Sequence, residues 1–181
     1  MRDGLRLALT TFTIVPLRPG RVDRSAARIA MTLAPVLGAL IGLVLGCAAL
    51  GLRALHVPAL VLGGVVVGLG ALLTRGLHLD GLADTVDGLG SYAGRERALE
   101  IMRAPDVGPF GVVALVLTLL VQAGAVAALA GRPLALATAL ATGRLVVTVA
   151  CRAVPAARPD GLGALVEVGQ TVALIVLVLP H

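Results

Sequence analysis

The sequence predicts an all-α, multi-pass integral membrane bundle of about five transmembrane helices with an acidic cytoplasmic loop. Three observations predict it. Hydrophobic residues make up 58% of the chain against 14% charged, the mean hydropathy is +1.00, and several apolar runs are long enough to cross a bilayer. Soluble domains hold roughly 45–50% apolar and about 25% charged residues, and no soluble core absorbs the excess seen here. Spans of about 20 residues each use up the 181 residues. The chain is therefore read as one membrane domain, residues 1–181, with the lipid bilayer as its solvent.

The N-terminal stretch 4–15 is moderately apolar but carries Arg6, Thr10, Thr11 and Thr13, and it stops at Pro16. Residues 1–28 are expected to be cytoplasmic or interfacial. A cleavable signal peptide is not expected, because Pro16-Leu17-Arg18-Pro19 offers no small-residue cleavage site. Spanning runs follow at 29–52, 57–77, 111–130 and 134–150, and more weakly at 162–179, where Glu167 and Gln170 interrupt the apolar pattern. Gly38, Gly42 and Gly46, at four-residue spacing, either let a second helix approach or reflect only the abundance of glycine. Cys47 and Cys151 have neither disulfide nor zinc-ligand spacing and read as small packing residues.

Arginine resists translocation and collects on the cytoplasmic side. Arg2, Arg6, Arg18, Arg21, Arg24 and Arg28 precede the first run, and Arg53 alone follows it. Arg75, Arg95, Arg97 and Arg103 come next, then Arg132 alone, then Arg152 and Arg158. This alternation puts the N-terminus, residues 75–110 and residues 152–160 on the cytoplasmic face. It also accounts for the net charge of +5 without nucleic acid, for which 2% aromatic content supplies no stacking platform. All 15 basic residues are Arg, which fits a GC-rich coding background as well as a function.

Chemistry is concentrated in residues 75–110. Six of the ten acidic residues fall there: Asp80, Asp84, Asp87, Glu96, Glu100 and Asp106. If the segment is helical, Asp80, Asp84 and Asp87 lie within about 60° of arc on one face. Converging carboxylates repel unless a cation compensates them. An all-oxygen set selects Mg²⁺ or Mn²⁺ over zinc, and Mg²⁺ is commonly completed by substrate phosphate. The alternative is a solvated juxtamembrane turn with scattered acids. Gly81 and Gly88 are candidates for close approach of a large substrate to the backbone. His78 is a candidate phosphate donor or acid–base group, though on a helix it faces away from the aspartates. Arg95, Arg97 and Arg103, with Glu100, either clamp phosphates or form surface pairs of little energetic weight. Ala98, Ile101 and Met102 are expected to face the bilayer. Arg144 and Arg158 sit at span ends, where an orientation anchor is the simpler reading and a pocket cation the sharper one.

The run from His78 to Gly88, His-Leu-Asp-Gly-Leu-Ala-Asp-Thr-Val-Asp-Gly, resembles the signature of the cobalamin synthase (adenosylcobinamide-GDP ribazoletransferase) family. The resemblance continues through Arg95-Glu96-Arg97, Leu99 to Arg103, Val107-Gly108, Gly111, Arg144 and Ala157-Arg158 to Gly161-Leu162-Gly163. It implies a Mg²⁺-dependent multi-pass transferase of the cell (inner) membrane. A ribazole hydroxyl would attack the phosphate joining cobinamide to GMP, giving adenosylcobalamin or its 5′-phosphate. The substrates implied are adenosylcobinamide-GDP and α-ribazole or α-ribazole 5′-phosphate. Carried over residue by residue, Asp80, Asp84 and Asp87 are metal ligands, Asp84 and Asp87 catalytic, and Asp87 a candidate general base. His78, Gly81, Gly88, Arg95, Arg97, Glu100, Arg103, Arg144 and Arg158 bind substrate.

Two departures stand out. Arg103-Ala104-Pro105-Asp106 replaces the family's basic-Asp-Ser-Arg run, and the family's further apolar helices beyond Gly163 are not matched here. A CDP-alcohol phosphotransferase also uses membrane-edge aspartates, but Asp80-Gly81-Leu82-Ala83-Asp84 lacks its Arg. An ion-coupled transporter needs ionisable groups at mid-bilayer, which the first four runs are expected to lack. A homo-oligomer is compatible with such a bundle.

Overall fold

A computed structural model describes residues 1–18, 20–153 and 159–179; at residues 153 and 159–161 only the backbone is described. All regular structure among these residues is helical. The elements are α1 (Arg2–Phe12), α2 (Arg24–Ala54), α3 (Ala59–Leu73), α4 (Leu77–Gly90), α5 (Arg95–Ile101), α6 (Pro109–Ala128), α7 (Pro133–Ala153) and α8 (Pro159–Val178).

Local chemistry marks the helix boundaries. Asp23 caps α2 by accepting the Ala26 N–H at 2.8 Å, which also holds its carboxyl below the usual carboxylate range. Pro109 stands in the first turn of α6, where its missing N–H costs nothing. α3 ends in a Schellman closure: Gly76 N–H reaches Ala71 O at 2.8 Å and Arg75 N–H reaches Leu72 O at 3.1 Å. Both Arg75 (φ 55°) and Gly76 (φ 66°) take left-handed backbone to do so.

The expected second span, 57–77, is consequently not one straight helix. The chain turns through 94° between α3 and α4, and the acidic segment is a helix packed on the bundle rather than a loop. Among the described residues three helices, α2, α6 and α7, are individually long and apolar enough to cross a membrane, and the bent α3–α4 pair makes a fourth candidate. The apolar part of α8, Leu162–Val178, is shorter.

α2 and α7 cross antiparallel along the Gly38, Gly42 and Gly46 ladder. A Cβ on these glycines would lie 2.6, 2.5 and 2.6 Å from Leu140 O, Leu136 O and Pro133 Cα. Their spacing is therefore a packing device. The main core joins α2, α3, α6, α7 and α8 through Ile41, Leu45, Val66, Leu129, Leu136 and Leu174. A second cluster, with Ala8, Phe12, Ala30, Ala34 and Leu37, seats α1 along α2. Arg75 ties α1 to the α3–α4 bend by donating to Thr10 O at 2.5 Å. Valines and leucines on the outer faces of α2 and α6, among them Leu40, Val44, Val113 and Leu117, are exposed as a lipid-facing surface requires.

Candidate active site

α4 carries the acidic stripe at the edge of the bundle. Asp80 is exposed, Asp84 half-buried and Asp87 buried, so the three carboxylates are graded from solvent to core. Asp87 is committed to architecture. Its two oxygens accept the N–H groups of Gly108 (2.7 Å) and Gly111 (2.8 Å), neutralising the first turn of α6. Side chains at either glycine would strike that carboxylate, which is why both positions are bare.

The three carboxylates do not form the expected metal cage: among the described residues no three His, Cys, Asp or Glu side chains group to hold a metal ion. A smaller set does fit. Asp80 and Asp84 stand one helical turn apart, with Cβ atoms roughly 5–6 Å from each other. Two hard carboxylates leave most of an octahedron for water and phosphate, the usual way Mg²⁺ is held.

The glycines of α4 face helices and leave no room for a substrate there. Gly81 meets Gly163 of α8, where an added Cβ on Gly163 would stand 3.1 Å from Gly81 Cα. Gly88 is covered by Met102, so the end of α5 packs on α4 and Met102 does not face the bilayer. Arg95 and Arg103 are exposed, as is Asp106. Arg97 donates to Glu100 at 2.8 Å in an exposed pair that contributes little stability. Arg158 lies outside the described residues.

The largest departure lies inside the bundle. Arg144 is 2% exposed and is no span-end anchor. With Glu167 (5%), Gln122 (5%) and His78 (5%) it forms a polar interior, correcting the expectation that the first four spans lack ionisable groups. Gln122 donates to Glu167 and Thr171, both at 2.8 Å, and Gln170 donates to Glu167 at 2.6 Å. Arg144 donates to Leu140 O at 3.2 Å and attracts Glu167 across a cavity of about 50 Å³ that both line. His78 Nε2 and Arg144 Nε are buried without a hydrogen-bond partner. Thr148 ties α7 to α2 through Met31 O at 2.9 Å. An Arg inside an apolar run was the signal for this cluster.

A membrane-embedded helical bundle that presents neighbouring carboxylates and exposed arginines has the parts of an enzyme acting on phosphorylated substrates. Residues 4–180 match the cobalamin-5-phosphate synthase family model, and the chain belongs to that family. It is 45% identical to an adenosylcobinamide-GDP ribazoletransferase of Nocardioides sp., covering 99% of this chain and 78% of that protein. Proteins of the same name from Frankia casuarinae and Pseudomonas paraeruginosa are 48% and 40% identical over 89% and 90% of this chain. The chain spans 63% and 69% of those two relatives. No solved structure matches.

Proposed function

We propose that this protein transfers the cobinamide phosphate of adenosylcobinamide-GDP to α-ribazole or α-ribazole 5′-phosphate. GMP leaves and adenosylcobalamin or its 5′-phosphate forms. A new P–O bond forms to the ribazole hydroxyl oxygen, the P–O bond to GMP breaks, and the hydroxyl proton is lost. The chain is thus a transferase of cobalamin synthesis, the activity its relatives are named for. The observation that carries the reading is the α4 stripe, which sets Asp80 and Asp84 one turn apart at the bundle rim.

In-line phosphoryl transfer asks for positioning and charge neutralisation more than for covalent help. Asp80 and Asp84 would hold Mg²⁺, or Mn²⁺, which when bound neutralises the pyrophosphate. Arg95 and Arg103, exposed on and just after α5, would receive the phosphates of the leaving nucleotide. Asp87 contributes by holding the start of α6 against α4. The arginine distribution supports a cell-membrane protein whose α4–α5 rim faces the cytoplasm.

The test is incubation of detergent-solubilised protein with adenosylcobinamide-GDP, α-ribazole and Mg²⁺. GMP release is expected, abolished by chelator and restored by Mg²⁺ or Mn²⁺ but not Zn²⁺. Absence of GMP would overturn the transferase reading, and full turnover in chelator would overturn the metal assignment.

A further inference from the structure

Beneath α1, bounded by α2, α4, α7 and α8, lies a cavity of about 230 Å³. Its walls include Phe12, Leu77, Leu162 and Val166, and its polar lining consists of Thr11, His78 and Arg144. Among the described residues His78 Nε2 and Arg144 Nε are, with Thr85 Oγ1 elsewhere on α4, the buried side-chain atoms without a hydrogen-bond partner. Phe12 and His78 supply aromatic surface, with ring centroids 6.3 Å apart and planes inclined by 30°. Leu77, Asp80 and Asp84 follow one another at i, i+3 and i+7 on α4, so this cavity wall continues into the stripe assigned to the metal.

Resting on the transferase reading, we infer that this cavity holds the planar base of the ribazole nucleoside, while its ribose reaches toward Asp80 and Asp84. Size decides against the other reactant. Pockets of about 300–1,000 Å³ accommodate drug-sized ligands, so this one takes a bicyclic fragment and no corrin. Lining decides against guanine, whose several donors and acceptors would go unmatched among aliphatic walls. A benzimidazole-type base has an apolar face for Phe12 and the aliphatic walls. It has one bare ring nitrogen, which accepts a hydrogen bond from His78 or Arg144. Its edge alone would meet the two orphaned polar groups, and burial of its face needs no further partner.

The chain has no Trp and a single Tyr, so the emission of a benzimidazole nucleoside can be followed directly in the solubilised protein. Leu162→Phe adds bulk from a half-buried wall, and Arg144→Gln removes the guanidinium. Both are expected to weaken α-ribazole binding and raise its KM about tenfold or more, with the KM for adenosylcobinamide-GDP unchanged. Free benzimidazole should displace the nucleoside from the wild-type protein, whereas ribose 5-phosphate should not. That competition needs no variant to fold.

A folded Leu162→Phe protein with normal nucleoside KM would overturn the inference. So would failure of benzimidazole to compete, weakened GMP binding in place of ribazole binding, or a lipid chain that fills the cavity and is not displaced. Each can occur while wild-type protein still releases GMP, which leaves the transferase reading standing. Conversely, nucleoside binding without GMP release would sink that reading and keep the cavity assignment.

Discussion

The aspartates of α4 are equivalent in sequence and unequal in structure. Asp84 stands half-buried at the rim, whereas Asp87 spends both oxygens on the N–H groups of Gly108 and Gly111. Replacement by Asn separates the roles. Asp84→Asn should lower GMP release about 10²-fold or more through lost charge at the phosphate. Asp106→Asn, at an exposed position, should leave GMP release unchanged. Asp87→Asn turns an amide group toward a backbone N–H and should cost about 1–3 kcal/mol of stability. If its melting temperature matched the wild type, the capping role would be wrong. Acid positions and their spacing were legible in the sequence, but their division of labour was not, because Asp87's partners lie 21 and 24 residues away. Arg144, by contrast, was legible in the sequence as buried. It is the twelfth of the 21 residues of α7, too deep for an orientation anchor.

Among the elements, hydropathy located α2, α6 and α7 closely because the length of an apolar run is itself the physical requirement for spanning. The α3–α4 bend escaped it. Thr74, Arg75 and Gly76 look like an ordinary span end, and the left-handed turn at Arg75 and Gly76 is a property of backbone closure that composition does not report. Glycine spacing was ambiguous for a related reason, since only the partner helix distinguishes contact from chance. Two glycines make that difference measurable. A Cβ on Gly42 would meet the backbone of Leu136 and Ala137 at 2.5 and 2.7 Å, whereas one on Gly64 meets nothing within 4 Å. Gly42→Ala should therefore destabilise the α2–α7 pair by about 1–3 kcal/mol. Gly64→Ala should be neutral or gain up to about 1 kcal/mol from helix propensity. Equal melting temperatures in detergent would mean that the α2–α7 crossing is looser than described.

For the whole molecule, charge and fold agree on two ends. The last turn of α2 and the α6–α7 connection, each with one arginine, lie together, with the Arg53 guanidinium beside Gly131. At the opposite end stand the start of α2, the α4–α5 rim and the end of α7, where most arginines collect. On the proposed function, a rim that takes adenosylcobinamide-GDP, whose phosphate charges keep it from crossing a bilayer unaided, must face the compartment that makes it. On the positive-inside rule the Arg-rich end is the one expected in the cytoplasm. Tyr92, 93% exposed between α4 and α5, is the reporter of choice. With Cys47 and Cys151 replaced by Ala, Tyr92→Cys should react with an impermeant maleimide in inside-out vesicles and not in intact cells. Leu55→Cys, in the α2–α3 connection, should show the opposite pattern. If Tyr92→Cys were labelled from outside intact cells, the orientation would be reversed and the access of cytosolic substrates to Asp80 and Asp84 would be lost with it.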